Sequence, residues 1–221
     1  MNRLLLCGLV LALAAPGLRA APLERDLGRG LEYFRVHRLP GDLPADAAVG
    51  DHPVVLDIRY VPGDARDGRD LLAWLRRHAA IRHPVFLLAN PETGPSLLAP
   101  LDSPDAVIGL IILGPAAPDF SPDIALHVSP AVERRAYEAL EHGASVRSLT
   151  VDIPVKSRQD EAMLDREHLP DSALPDLEDE ADQAGPAPSG PPPLIDAVLQ
   201  RAIQLDRGLI ALRRIPGPAG G

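Results

Sequence analysis

The sequence predicts a three-layer α/β domain, a central sheet with helices on both faces, and three observations lead there. Short continuous apolar runs, PVVLDIRY from Pro53, PVFLLAN from Pro84 and AVIGLIILG from Ala106, fit strands covered on both sides. Segments of helical spacing alternate with them, which is the pattern of βα units. Hydrophobic residues make up 46% of 221, enough to fill the core such a sheet needs.

The elements follow in order. In LGRGLEYFRVHRLPGDLP, from Leu27, Tyr33, Arg35 and His37 alternate with Phe34, Val36 and Arg38, as in a strand that Pro40-Gly41 closes. VVLDIRY is the second strand, ended by the Pro62-Gly63 turn. Over residues 67–80, Leu71, Leu72, Leu75 and Ala79 share a helical face, with Arg76 and Arg77 outside it. Residues 91–105 read as a loop with one helical turn, because Pro95 suits a first turn and Pro100 stops it. After a strand over 123–128, Ser129 before Pro130 and Gly143 after His142 bracket a helix. LTVDIPVK, from Leu149, alternates as a half-exposed edge strand. These elements define an α/β domain over residues 27–157.

Both ends have a different character. Residues 1–20 carry one early Arg, an apolar run from Leu4 to Ala15 and then small residues, the plan of a secretory signal peptide. Cleavage is expected after Ala20, with Ala21 as an alternative. The run is too short to span a bilayer, and it contains Cys7, the sole cysteine, where lipidation is the alternative processing. A mature chain without cysteine has neither disulfide nor thiolate chemistry. Export to a bacterial periplasm or to the exterior is the expectation. Residues 158–192 are acidic and then Pro-rich and read as a disordered linker. Beyond it, residues 193–214 form an amphipathic helix whose seam is Ile195, Val198, Ala202, Leu205, Leu209 and Leu212. Docking on its own domain is the leading expectation for that seam, with self-association as a short coiled coil or contact with another envelope protein as alternatives, and Asp196 and Asp206 beside it oppose contact with a membrane surface.

Several chemistries lack their residues. With 31 acidic against 22 basic residues the charge is −9, which excludes the basic footprint of nucleic-acid binding. No histidine spacing fits a metal site, and no glycine loop with a lysine cradles phosphate, so neither metal nor cofactor is expected.

The stretch VVLDIRYVPGD, then a helix, then PVFLLANPETGPSLLAPL, resembles the core of the tail-specific, C-terminal processing serine peptidases, which have the ClpP/crotonase-like fold. The resemblance covers about residues 50–115. It aligns Leu56-Asp57-Ile58-Arg59 with the family's Leu-Asp-Leu-Arg, Gly63 with the first glycine of an oxyanion hole, and Ser96 with the region of the nucleophile. Three departures oppose that activity. Asp64 stands where a second glycine belongs and would repel a developing oxyanion. The segment around Ser96 lacks the family's serine pattern. No lysine base follows, because the only lysine is Lys156. The resemblance therefore implies a degenerate site, and the leading expectation is an exported, non-catalytic binding or assembly module. The alternative is a serine hydrolase with an unconventional set, Ser96 with His127 and Asp57 beside the Gly63 turn. Asp57 and Arg59 share one face of their strand, and an internal ion pair fixing the following turn is their expected role.

Overall fold

The computed structural model describes residues 23–103, 106–150 and 193–217. Six strands form one sheet in sequential order: β1 (Leu23–Asp26), β2 (Glu32–Arg35), β3 (Val54–Asp57), β4 (Val85–Leu88), β5 (Leu110–Pro115) and β6 (Ile124–Leu126). β1 runs antiparallel to β2, and β2 to β6 are parallel. The helices are α1 (Asp46–Val49), α2 (Ala65–His78), α3 (Pro95–Leu98, continuing into a 3-10 turn at Ala99–Leu101), α4 (Pro130–Glu141), α5 (Val146–Leu149) and α6 (Ala197–Ala211).

Sequential parallel order has a geometric consequence. Crossovers of one hand stepping always in the same direction must lie on one face. That face packs Leu71, Trp74 and Leu75 of α2 and Leu97 of α3 on Phe34, Leu56 and Leu87 of the sheet. The chain after β6 is left with the other face. There Leu140, Leu149, Val198, Leu199, Ala202 and Ile203 cover Tyr33, Val55, Phe86, Leu88 and Leu113. Strand alternation places Tyr33, Arg35, Val55 and Asp57 in phase on this second side, where the register sets Arg35 opposite Asp57.

Local signals account for the helix limits. Ser129 accepts from the Val132 amide at the start of α4, and Gly143, at φ +92°, ends it. Asp64 caps α2: its carboxylate accepts from the Arg66 and Asp67 amides, and its own amide donates to Asp67. Trp74 of α2 donates to the Pro44 carbonyl at 2.9 Å, tying α2 to the loop before α1.

Some elements differ from the sequence expectation. β1 precedes the expected domain start and pairs across a turn at Gly28 and Gly30, both with positive φ. Leu149, expected to begin an edge strand, instead ends α5, which Ser145 caps by accepting from the Ser148 amide; its side chain is buried. The rest of that expected strand, the signal segment and the linker at 158–192 lie outside the described residues. α6 packs against β4 and β5 of its own sheet. Its buried stripe is turned from the expected seam towards Leu199, Ile203 and Asp206, which leaves Leu212 72% exposed.

Two helical glycines should respond oppositely to alanine. At Gly208 an added Cβ meets nothing within 4 Å, so Gly208→Ala should raise stability by about 0.5–1 kcal/mol through helix propensity. At Gly68 a Cβ would lie 2.2 Å from the Ser96 carbonyl oxygen, where α2 crosses α3. Overpacking of about 1–3 kcal/mol outweighs the propensity gain there, so Gly68→Ala should destabilise. Urea midpoints of the two variants test both signs.

Candidate functional site

Parallel α/β sheets usually take ligands beyond the carboxyl ends of their strands. Here that region, beyond β2, β3 and β4, holds a closed charged cluster. Asp57 ends β3 and Arg59 follows two residues later, both fully buried. The Arg59 guanidinium donates to both Asp57 oxygens, at 3.0 and 2.7 Å. Its other edge donates to both Asp196 oxygens, at 3.1 and 2.9 Å. One planar cation is thus gripped by two carboxylates, one from the sheet and one from the residue that caps α6. Glu133 of α4 lies 3.9 Å from Arg59 and accepts from Asn90, the residue just past β4.

Aromatic groups close the cluster. Tyr33 donates to Asp57 at 2.6 Å, and Arg35 Nε donates to the Tyr33 oxygen at 2.8 Å. Arg35 lies 3.8 Å over the Tyr137 ring; Tyr137 meets Tyr60 edge-on at 4.8 Å; Arg134 covers Tyr60 at 3.7 Å. These are the chain's three tyrosines, gathered from β2, the turn after β3 and α4. Tyr60 adopts φ +64°, uncommon for an aromatic residue, and the Asn90 side chain accepts from its amide.

The electrostatics follow from burial and neighbours. Burial alone would raise the Asp57 pKa, but Arg59 and Arg35 outweigh it and hold the carboxyl below its usual value. Burial raises Glu133 despite the opposing Arg59 and Asn90. Burial, and then the Asp57 charge, push Tyr33 well above the usual phenol value. The arrangement suits fixing two layers together. Within it Asp57, engaged by both Arg59 and Tyr33, is not free to act as a general base.

The other expected residues are placed apart from that cluster. Ser96 lies half-buried in the first turn of α3, and His127 is exposed just past β6; no hydrogen bond joins either to Asp57 among the described residues. Gly63 sits against α3: a Cβ on it would lie 2.3 Å from Leu97, and one on Gly94 would lie 2.8 Å from the Gly63 nitrogen. The Gly94 amide donates to the Val61 carbonyl at 2.8 Å. The turn after β3 is therefore packed against the loop after β4. Asp64, read in the sequence as a misplaced carboxylate beside an oxyanion, does its work as the α2 cap. Sequence reasoning found Asp57 and Arg59 but missed Arg35, Tyr137, Glu133 and the anchoring role of Asp196. The available signals were the phase of Arg35 with Tyr33 and the position of Asp196 just before a helical run.

Beside this closed cluster lies an open cleft of about 390 Å³ beyond β4 and β5, walled by Pro91, Pro95, Leu98 and Phe120, with Asp102 and Asp119 among its lining. Among the described residues no group of three His, Cys, Asp or Glu is arranged to hold a metal, and no helix is long and apolar enough to cross a membrane. No protein-family model matches the chain, and no curated protein matches it.

Removing one grip on Arg59 leaves a buried cation short of its counter-charge. Asp196→Ala should cost about 3–5 kcal/mol, and Asp196→Asn less, in urea unfolding. On the same helix, Asp206 is 2% exposed with one oxygen unpartnered, and burial, opposed by Arg207 and Arg29, raises its pKa to about 6 from 3.8. A carboxyl raised on folding supplies stability that is full below the unfolded value and is lost as pH rises through the folded one. Asp206→Asn should therefore match the parent near pH 4 and exceed it by several degrees in Tm above pH 6.

Proposed function

We propose that this chain is an exported, non-catalytic α/β module that binds or assembles with another envelope protein, on a core of the ClpP/crotonase-like type. The sequential parallel strand order, with its crossover helices on one face, supports the finer fold assignment. The observation that carries the functional reading is the saturation of the end of the sheet where chemistry would be expected. Arg59 is shared by Asp57 and Asp196, Tyr33 and Arg35 are turned inward, Gly63 is packed on α3, and Asp64 is used as a cap. A polar cluster bonded from within at all but one Arg35 nitrogen holds a scaffold and leaves surface recognition as the available role. The open cleft past β4 and β5 is the surface that such a partner would use: its proline walls are rigid and its lining mixes apolar groups with two carboxylates.

Two substitutions separate this reading from a hydrolase. Ala99 is exposed and lines the cleft. Ala99→Arg should leave Tm within about 2 °C of the parent and weaken retention of the envelope partner by about tenfold or more. Ser96→Ala should leave retention unchanged, and neither it nor the parent should hydrolyse ester or peptide substrates above buffer. A turnover present in the parent and lost in Ser96→Ala would overturn the assignment.

A further inference from the structure

A second concavity, of about 640 Å³, lies at the opposite end of the sheet from the charged cluster. It is formed where the end of α2 and the turn before β4 meet the turn before β5. Arg76, Arg82 and His83 line it together with Ile81, Val107 and Ile108. Ile81 is 73% and Ile108 68% exposed, two of the three large apolar side chains standing out most among the described residues. Among the described residues no acidic side chain is in the lining, and neither Arg76 nor Arg82 has an ion pair. In a chain of charge −9 this is a local basic, apolar surface.

The groove is also built rigidly. Ala80 and His83 exchange backbone hydrogen bonds at 3.1 Å, which fixes Ile81 and Arg82 at the tip of a tight turn. Gly109, at φ +86°, approaches Ala80 so closely that a Cβ would lie 2.3 Å from its carbonyl carbon. The two walls are thus held together by backbone, and an occupant would find the groove preformed.

We propose that this groove is the docking site for the chain's own acidic segment, residues 169–182. The segment, LPDSALPDLEDEAD, carries six carboxylates, no basic residue, and Leu169, Leu174 and Leu177 spaced among them. That pattern complements an apolar floor with an arginine rim. The tether permits the contact. Residues 151–192 lie outside the described structure, and both ends of this stretch are fixed at one point, where the Asp196 amide donates to the Leu149 carbonyl at 2.8 Å. From there the groove lies at the far end of strands of four to six residues, about 13–20 Å along them, and one layer of about 10 Å away. The shorter arm, from Asp182 to Pro193, reaches about 36 Å when extended. A segment tethered in this way acts at an effective concentration near millimolar, so a weak contact suffices, and the segment of a second copy is outcompeted. The contact is internal and does not depend on the proposed assembly role.

The test is the rate at which N-ethylmaleimide modifies an Ala80→Cys probe in the full chain, with Cys7→Ser removing the other thiol. Ala80 is exposed and lines the groove, and the substitution leaves both isoleucines in place. Three matched chains are compared: the parent segment, a segment with its six carboxylates changed to amides, and the parent segment with Arg76→Glu and Arg82→Glu. Labelling should be at least about fivefold slower with the parent segment than in the other two. About 0.5 M salt should remove most of that protection, and roughly twentyfold dilution should leave it unchanged. Equal rates in all three chains would overturn the proposal, as would protection that survives the arginine reversals. Protection that fades on dilution would assign the groove to a second copy and overturn the internal contact.

Discussion

Arg59 between Asp57 and Asp196 is the constraint on which the second face of the sheet depends. A buried guanidinium costs several kcal/mol in lost solvation, and only near-complete hydrogen bonding offsets that. Here the two carboxylates come from points 139 residues apart in the chain, Asp57 at the end of β3 and Asp196 at the start of α6. Apolar burial brings α6 to the sheet, but hydrophobic contact has no direction. The charged grip supplies the direction: α6 starts beside Arg59, where its capping Asp196 reaches the cation with both oxygens. With the helix started there, Leu199 and Ile203 are buried and Leu212 is not.

The same constraint orders the layer around it. With Asp57 engaged by Arg59, the Tyr33 hydroxyl completes its shell, and Arg35 is drawn inward to lie between the Tyr33 oxygen and the Tyr137 ring. Arg35 keeps one nitrogen without a hydrogen-bond partner, 3.7 Å from Asp57, so its position rests on the aromatic face as well as on charge. α4 is tied in through Tyr137 and Glu133. Two helices and two strands therefore share one polar centre, and the apolar clusters on either side of the sheet close around it.

How much of this the sequence makes legible depends on how local the cause is. β3 and β4 announce themselves as apolar runs, and α4 as Ser-Pro and Gly at its ends, because those signals act within a few residues. β1 has no such signal: LERD is a four-residue edge strand, exposed beyond Leu23, and pairing alone defines it. α5 ends on a leucine that alternation assigns to a strand, whereas the Ser145 cap starts a helix there that buries it. The polar centre divides in the same way. Asp57 and Arg59 are two residues apart and in phase, so their pairing can be read from the chain. Asp196 is distant from both, and its carboxylate reads as a reason against membrane contact until the fold carries it to Arg59. Asp64 carries two readings at once: set against a glycine motif it looks like a defect, and set against Asp67, three residues on, it is half of a capping box.

The hydrogen bond from Asp196 to the Leu149 carbonyl has a consequence for how the chain can vary. It brings the two exits of the intervening stretch to adjacent points, so the chain leaves and re-enters the described domain at one place. Closing such a stretch costs only about 0.6 kcal/mol more for each doubling of its length. A longer or shorter stretch between those exits therefore changes the closure cost of the described domain little. The joint between α5 and α6 is thus set by its own contact, whatever the length of chain that runs between its two sides.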